Sequence, residues 1–211
     1  SRTGVKTGFQ KISVQRLTGA GVNVRVSTLN IVDERQAEEL IREASSMAPV
    51  GGIFNLAMVP RDGLFENQTA DKFREACAGK IDGTRHLDSV TRRLCSDSLD
   101  WFVTFSSALA APGMGEPGCT NYAFANSAME RICEQRKQDG YPALAIQWGV
   151  VGDVGVAFTN RGGNKAVIAG AASQPLKSCL HQLDYFLQHQ EHPVVCSFVR
   201  ATPEDMGTLT D

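Results

Sequence analysis

Tyr122 and Asn126 are the residues of this sequence whose types and spacing are best suited to chemistry. Because an α-helix places residues four apart on one face, their phenol and carboxamide share one side of a predicted helix. Ser106 and Ser107 end an apolar run that begins at Trp101 and is typical of a strand. A phenol, a hydroxyl and a carboxamide that meet at a strand's carboxyl end can bind a carbonyl oxygen and protonate it during reduction.

Lys80 is the leading candidate for the group that makes Tyr122 an effective acid. A free phenol has a pKa of about 10 and is a poor proton donor at neutral pH, whereas a nearby ammonium favours the phenolate. The helix that carries Lys80 follows the predicted strand of Asn55 and should pack beside the strand of Ser107. We expect Ser107 to hold the substrate carbonyl, and Asn126 to fix Lys80 or a water that relays protons.

The segments that must position these residues alternate between strand and helix patterns. Predicted strands occupy residues 22–26, 53–57, 101–105, 143–148 and 194–199. Predicted helices occupy residues 9–20, 119–138 and 175–187. Another predicted helix is capped by Asp33, and a long one begins at Thr69 and is weakened locally by Gly79 and Gly83. Such alternation predicts an α/β fold with a parallel sheet and helices on both faces.

The carboxyl ends of the predicted strands bring the candidate residues together. Ligands of parallel α/β sheets bind beyond these ends. Asn55, Ser107 and Trp148 lie at or near such ends, and Gly149 follows Trp148. We therefore expect these residues to be neighbours in space.

The overall composition excludes several classes of function. The 211 residues carry a net charge of −2, which gives no reason to expect a nucleic-acid partner. No apolar run approaches the roughly 18–20 residues of a membrane span. The six cysteines are scattered, with no C-x-x-C pair and no histidine at metal-ligand spacing. This pattern favours a reducing, cytoplasmic setting and no metal site.

Several segments, taken together, resemble one family. They are residues 51–57, residues 61–64, Lys80 with Gly83 and Thr84, residues 105–107 and residues 121–126. On these residues the chain resembles the ketoreductase domains of type I fatty acid and polyketide synthases, which belong to the short-chain dehydrogenase/reductase superfamily. Most of that superfamily has Tyr-x-x-x-Lys, whereas these domains place asparagine there and the lysine on the earlier helix, as Asn126 and Lys80 do. The amino-acid sequence of residues 121–134, 147–149 and 152–155 is most similar to animal fatty acid synthase.

The resemblance implies a Rossmann-like fold and an NADPH-dependent reduction. The implied substrate is a 3-oxoacyl group on acyl carrier protein, which is reduced to the 3-hydroxyacyl group in fatty acid synthesis. The implied protein is a cytoplasmic, multifunctional synthase, with other synthase domains in the same chain and a homodimeric state. Residues 1–199 would form a partial ketoreductase domain, and residues 200–211 a linker toward a following domain.

The resemblance also implies roles for individual residues. The catalytic set is Ser107, Tyr122, Lys80 and Asn126. The implied cofactor-binding residues are Ser1 and Arg2 at the 2′-phosphate, Asn30 near the adenine, Asn55 and Ala57 beside the ribose, and Trp148 and Gly149 in the segment that covers the nicotinamide and substrate. Asp62 matches the last position of a motif associated with the 3R-alcohol, although Pro60 and Arg61 do not match the first two.

The chain departs from the family pattern in three respects. Ser107 precedes Tyr122 by fifteen residues rather than thirteen, a change that a surface loop can absorb. We find no glycine-rich turn leading from a strand into a helix to cradle a pyrophosphate. The chain begins where the second family strand ends, so the first two strands and the phosphate loop are expected to be lacking. The strand at residues 22–26 would then have no neighbour and the strand at Ile53 an open apolar edge. We expect this polypeptide alone to bind NADPH poorly and to be inactive.

Three other interpretations stay open or are disfavoured by the residues. A polyketide synthase ketoreductase is the nearest enzymatic alternative, and a reductase-like segment that serves only as scaffold is the non-enzymatic one. A hydrolase would need a G-x-S-x-G turn and a paired histidine, and no serine lies in such a turn.

Overall fold

The computed structural model describes residues 3–155 and 166–207, which contain seven strands and seven α-helices. The strands are β1 (Gly52–Asn55), β2 (Trp101–Ser107), β3 (Leu144–Trp148), β4 (Val167–Ile168), β5 (Ala171–Ala172), β6 (Val194–Ser197) and β7 (Val199–Arg200). The helices are α1 (Gly8–Gly19), α2 (Glu34–Ser45), α3 (Ala70–Cys77), α4 (Gly83–Leu94), α5 (Thr120–Gln138), α6 (Leu176–Gln188) and α7 (Pro203–Gly207).

The central sheet contains four parallel strands in the order β1-β2-β3-β6. A second, antiparallel sheet joins β4, β5 and β7. In the central sheet Asn55 pairs with Thr104, and Ser107 pairs with Trp148. The predicted parallel α/β architecture is therefore confirmed, and the predicted strand ends lie side by side.

Two apolar layers sandwich the central sheet because successive residues of a strand point to opposite faces. Phe102 packs with Leu87 and Val90 of α4 and with Ile41 of α2, whereas the next residue, Val103, packs on the opposite face. That second layer contains Leu144 and Ile146 of β3 and Cys179 and Phe186 of α6. Helices cover both faces, as the sequence predicts.

Two helix starts follow the capping residues expected from the sequence. The Asp33 carboxylate accepts from the backbone N–H of Gln36 at 3.0 Å at the start of α2. The Thr69 hydroxyl accepts from the backbone N–H of Lys72 at 3.2 Å at the start of α3. Each cap pairs a backbone donor that the first turn of a helix leaves without a partner.

The long helix predicted from Thr69 is interrupted by a π-helical turn, Ala78–Asp82. The backbone N–H of Gly83 closes this wider turn by donating to the carbonyl of Ala78. The turn contains one residue more than an α-helical turn would, and it carries Lys80.

Contacts from other parts of the chain stabilise the π-helical turn. Asn55 Nδ2 donates to the Gly79 carbonyl at 3.2 Å and to Thr84 Oγ1 at 2.9 Å. At Gly83, a Cβ atom would lie 2.7 Å from Ile31 Cδ1, so only glycine lets the helix approach so closely. The sequence correctly marks a weak point in this helix, but the wider turn depends on these non-local contacts.

Three strand predictions need correction. Residues 22–26 form no strand, because no described strand lies beside them to pair with their backbone. β1 ends at Asn55 instead of residue 57, since the Asn55 carboxamide oxygen accepts from the backbone N–H of Ala57 at 2.9 Å and turns the chain. The strand predicted at 194–199 is divided at Phe198 into β6 and β7, which belong to different sheets.

Among the described strands, β1 occupies one edge of the central sheet. Its Phe54 is 43% exposed, and Leu56 just beyond it is 58% exposed. The predicted apolar edge at this position is therefore present in the structure.

Candidate active site

The four residues predicted to be catalytic converge at the carboxyl end of the central sheet. Lys80 lies in the π-helical turn, Ser107 ends β2, and Tyr122 and Asn126 share one face of α5. The α5 helix packs against both β2 and the π-helical turn. The Lys80 ammonium consequently lies 5.4 Å from the centroid of the Tyr122 ring.

The proton-donating ability of Tyr122 is set by opposing effects. Burial raises the pKa of the Tyr122 phenol, because desolvation penalises the phenolate. Hydrogen bonds with the side chains of Asn126 and Ser107 act in the opposite direction. The sequence prediction gave the main role to an ammonium, whereas in the structure burial dominates the pKa of Tyr122.

Lys80 is buried, with 3% of its surface exposed. Its Nζ donates a hydrogen bond to the Phe105 carbonyl at 2.9 Å. Burial lowers the pKa of Lys80 to about 8, and the charge of Glu130 opposes that shift. Near neutral pH the side chain is therefore an ammonium, and its deprotonation requires little free energy.

Asn126 does not bind Lys80, which is one of its two predicted partners. Its Nδ2 donates to the backbone carbonyl of Tyr122 at 2.8 Å, and Lys80 binds Phe105 instead. The Asn126 Oδ1 atom is buried and has no hydrogen-bond partner among the described residues. Because buried polar atoms are normally paired, this oxygen is suited to accept from a bound molecule or water.

Ser107 and Tyr122 remain neighbours despite the longer connection between them. A 3-10 turn, Ala108–Ala110, follows β2, and the Ser107 hydroxyl accepts from the backbone N–H of Leu109 at 3.3 Å. Both Ser107 and Tyr122 line the same cavity. The loop absorbs the two additional residues, as expected.

The cavity beside Tyr122 has a volume of about 170 Å³ and mostly apolar walls. Its polar lining includes Asp62, Ser107 and Tyr122. The apolar lining includes Met58, Leu109, Met114, Val150, Ile168 and Ala171. This arrangement suits a small apolar chain with one reactive oxygen placed at the hydroxyl groups.

A larger groove of about 1120 Å³ lies between β1 and the segment that precedes α2. Asn30 and Ala57, two of the predicted cofactor-binding residues, line it, as do Arg25 and Arg61. Met58 lines both this groove and the cavity at Tyr122, so the two spaces are adjacent.

The remaining predicted cofactor residues occupy different places. Trp148 and Gly149 line the cavity at Tyr122 rather than the larger groove. Asn55 is buried and its side chain donates hydrogen bonds to Gly79 and Thr84, so it stabilises the π-helical turn that carries Lys80. Ser1 and Arg2 lie outside the described residues.

One glycine-rich turn escaped the sequence reasoning. Gly113, Gly115 and Gly118 have the spacing G-x-G-x-x-G and lie between β2 and α5, so such a turn does lead toward a helix start. It flanks Met114 and Cys119, which line the cavity at Tyr122. The turn therefore borders Tyr122 and not the larger groove.

A buried carboxylate is the second feature that the sequence reasoning missed. Glu130 lies on α5, four residues after Asn126 and eight after Tyr122, and is 2% exposed. Its position on the same helix face as Tyr122 and Asn126 is the signal that can reveal it.

A parallel α/β sheet with serine, tyrosine, lysine and asparagine at the carboxyl ends of its strands defines an oxidoreductase of the short-chain dehydrogenase/reductase type. The KR domain family matches residues 1–153, and the chain therefore belongs to that family of ketoreductase domains.

Relatives and solved structures agree with this assignment. The reducing polyketide synthase DEP5 of Alternaria brassicicola is 33% identical over 77% of this chain and 7% of its own length. The highly reducing polyketide synthase easB of Emericella nidulans is 35% identical over 76% of this chain and 6% of its own. A solved structure described as A-type ketoreductases from modular polyketide synthase superposes with a TM-score of 0.83 at 26% identity, covering 95% of this chain and 41% of that one.

This chain spans only a small part of the curated relatives that it matches. Both relatives are polyketide synthases, so they support the ketoreductase assignment but give no specific support to fatty acid synthase. In the part of the chain that the structure describes, no helix has the length and hydropathy needed to cross a membrane.

Proposed function

We propose that this protein reduces the 3-keto group of an acyl chain on acyl carrier protein to the 3-hydroxy group, as the NADPH-dependent ketoreductase of a multidomain synthase. The observation that carries the proposal is the convergence of Tyr122, Lys80 and Ser107 at an apolar cavity. The other synthase domains would lie in the same polypeptide, as in the large relatives. The homodimeric state and the cytoplasmic setting expected from the sequence belong to the same proposal.

The residues present fit a nicotinamide dinucleotide. Asn126 Oδ1 and Trp148 Nε1 are buried without partners among the described residues, so one acceptor and one donor are available to a polar ligand. Asn30 and Ala57 would hold the cofactor in the larger groove, beside the cationic side chains of Arg25 and Arg61. NADPH, when bound, supplies the hydride that forms the new C–H bond at the carbonyl carbon and is oxidised to NADP⁺.

Tyr122 completes the reduction by donating its phenolic proton to the carbonyl oxygen, which becomes the hydroxyl of the product. Ser107 holds that oxygen by a hydrogen bond, and its own hydrogen bond with Tyr122 places the two hydroxyl groups together. The Lys80 ammonium then stabilises the phenolate and supplies the proton that restores Tyr122, and a proton from solvent restores the ammonium. The readily lost proton of a lysine with a pKa of about 8 suits this role.

The cavity favours an acyl group over a sugar or a charged metabolite. Apolar side chains such as Met58, Leu109 and Ile168 form most of its walls. Burial of methylene groups against them is worth about 0.8 kcal/mol per group. The acyl chain would be held by these contacts, and the reactive 3-keto group by Ser107 and Tyr122.

The product class has two candidates. The polyketide class is supported by the relatives, which are reducing polyketide synthases. The fatty acid class is favoured by the residue pattern of 121–134 and 147–149, which is most similar to animal fatty acid synthase. Product analysis of the intact natural protein separates them: release of a fully saturated, unbranched chain supports fatty acid synthesis, and a partly reduced or branched product supports polyketide synthesis.

The decisive experiment measures NADPH oxidation by the intact natural protein with 3-ketoacyl groups on acyl carrier protein. Tyr122→Phe should lower kcat by about 10²–10⁴-fold, the usual contribution of a general acid. Tyr185→Phe removes the same hydroxyl from an exposed position on α6 and should retain full activity. Unchanged ketone reduction in Tyr122→Phe would refute catalysis here and favour a scaffold role.

A further inference from the structure

Glu130 is a charged residue that the proposed mechanism does not use, although it lies deep beneath the catalytic site. It is 2% exposed and lies on the face of α5 that carries Tyr122 and Asn126. Carboxylates are seldom buried to this extent unless a partner compensates the loss of water. The partners of Glu130 therefore indicate what it does.

Two polar side chains of the central sheet hold the Glu130 carboxylate. Its Oε1 accepts hydrogen bonds from Ser106 Oγ and, at 3.0 Å, from Gln147 Nε2. Ser106 and Gln147 pair with each other in adjacent strands, so both donors come from one rigid position of the sheet. The carboxylate is thereby fixed against the end of β2.

Lys80 engages the neighbouring residue of the same strand. Its ammonium donates to the carbonyl of Phe105, which directly precedes Ser106. β1 has already ended opposite Thr104, so no residue of β1 pairs with Phe105 and its carbonyl is able to accept from Lys80. Successive residues of β2 therefore bind the carboxylate and the ammonium.

We propose that Glu130 is a positioning residue whose buried negative charge keeps Lys80 in the ammonium form beneath Tyr122. This inference rests on the proposed function for its catalytic consequence, but the protonation of Lys80 can be measured whether or not the protein reduces a ketone. A buried lysine without a counter-charge readily loses its proton. The charge of Glu130 opposes this loss at Lys80, and the two side chains are bound to successive residues of β2.

Other titratable groups near the pair do not replace Glu130. Arg136, further along α5, is paired with Asp88 at 2.5 Å. Cys133 of α5 and Cys196 of β6 interact electrostatically with Glu130, and the Lys80 ammonium lies 5.4 Å from the centroid of the Tyr122 ring. Asp82, two residues after Lys80, is half exposed and lies 4.0 Å from the guanidinium of Arg85. Burial raises the pKa of Tyr122 and Cys133, and partial desolvation raises that of the exposed Cys196, so these groups are neutral near pH 7.

The test is a titration of Lys80 in this chain without cofactor, by NMR of ¹³Cε-labelled lysine, with the signal assigned from its loss in Lys80→Arg. Glu130→Gln retains the shape of the side chain and removes the charge. It should lower the pKa of Lys80 by roughly one unit. Ser106→Ala removes a hydrogen bond but keeps the charge, so it should shift the titration by less than half as much.

Glu134→Gln is the matched control, since Glu134 lies one turn further along α5 and pairs with the exposed Arg131. It should leave the titration of Lys80 unchanged. The alkaline limb of the kcat–pH profile of the intact natural protein should move down with Glu130→Gln and stay in place with Glu134→Gln. If Glu130→Gln does not fold, Glu130→Asp replaces it, because the shorter side chain keeps the charge but moves it away by one methylene. Glu130→Asp should lower the pKa of Lys80 by less than the shift expected for Glu130→Gln.

Two outcomes would overturn the inference. One is that Lys80 has the same pKa in Glu130→Gln as in the unaltered chain. If only Glu130→Asp folds, the same comparison is made with that variant. The other is an equal shift in Ser106→Ala and Glu130→Gln, which would mean that geometry and not charge is responsible. Because the titration needs no turnover, absence of ketone reduction in the unaltered protein would refute the proposed function alone.

Discussion

The ammonium of Lys80 donates a 2.9 Å hydrogen bond to the carbonyl of Phe105, one residue pair beyond the point where β1 ends beside β2. The end of one strand thus exposes a backbone acceptor, and a lysine from the following helix binds it. This contact holds the ammonium beside the Tyr122 ring, although the two residues are 42 positions apart in the sequence (122 − 80).

The pH dependence of reduction should report Lys80. Burial lowers its pKa from 10.5 to about 8, so the ammonium form prevails below about pH 8 and is lost as the pH rises through that value. We expect kcat at saturating NADPH to fall along an alkaline limb near pH 8. Lys80→Arg keeps a cation that does not titrate in this range, so its lower kcat should show no such limb. An unchanged limb in Lys80→Arg would assign the titration to another group.

Gly83→Ala should destabilise the fold by about 1–3 kcal/mol, because overpacking of a tight contact costs this much. The added methyl group would lie 2.7 Å from Ile31 Cδ1. Urea unfolding measures the change. Gly19→Ala is the control, since its Cβ would meet nothing within 4 Å. Ile31→Ala combined with Gly83→Ala should cost less than the sum of the two single changes, and strict additivity would contradict the proposed clash.

Asn55→Ala should destabilise the protein by about 1–3 kcal/mol, the cost of leaving buried polar groups unpaired. The change removes the donor to the Gly79 carbonyl and to Thr84 Oγ1. Because these bonds stabilise the turn that carries Lys80, kcat should also fall while the variant remains folded. Urea unfolding and steady-state kinetics measure the two effects. Asn23→Ala, at an exposed position, should change neither.

Arg136→Met should lower the free energy of unfolding by about 3 kcal/mol, near the lower end of the range for breaking a buried ion pair. Arg136 is 1% exposed, binds Asp88 at 2.5 Å and lies over the ring of Phe102. The loss stays near the lower end because Asp88 retains Arg92 as a partner. Thermal and urea unfolding provide the measurement, and Arg131→Met, at an exposed arginine, should have little effect. Equal stabilities of the two variants would contradict this expectation.

The sequence predicts those features that depend on local chemistry or on strand order. The caps at Asp33 and Thr69 are local signals, and both are confirmed. The meeting of Tyr122, Lys80 and Ser107 follows from parallel topology, because strand ends of such a sheet share one edge. The pattern at residues 22–26 is equally strand-like, but a strand requires a partner that the local sequence does not specify.

The features that escaped prediction depend on contacts between distant residues. The width of the π-helical turn depends on Asn55 and Ile31, which precede it by more than twenty residues. The burial of Glu130 contradicts the general rule that glutamate is exposed. It becomes possible only because Ser106 and Gln147 present two donors from the sheet.

The π-helical turn has a consequence for changes in chain length. A deletion of one residue within Ala78–Asp82 would allow α3 and α4 to join as one regular α-helix, which is the more favourable backbone structure taken alone. The same deletion would rotate one helix relative to the other by about 100° and move either Lys80 from Tyr122 or Leu87 and Val90 from the core. A regular α-helix in this segment is therefore incompatible with placing Lys80 at Tyr122 and Leu87 and Val90 in the core at the same time. It should tolerate point substitutions more readily than the loss or gain of a single residue.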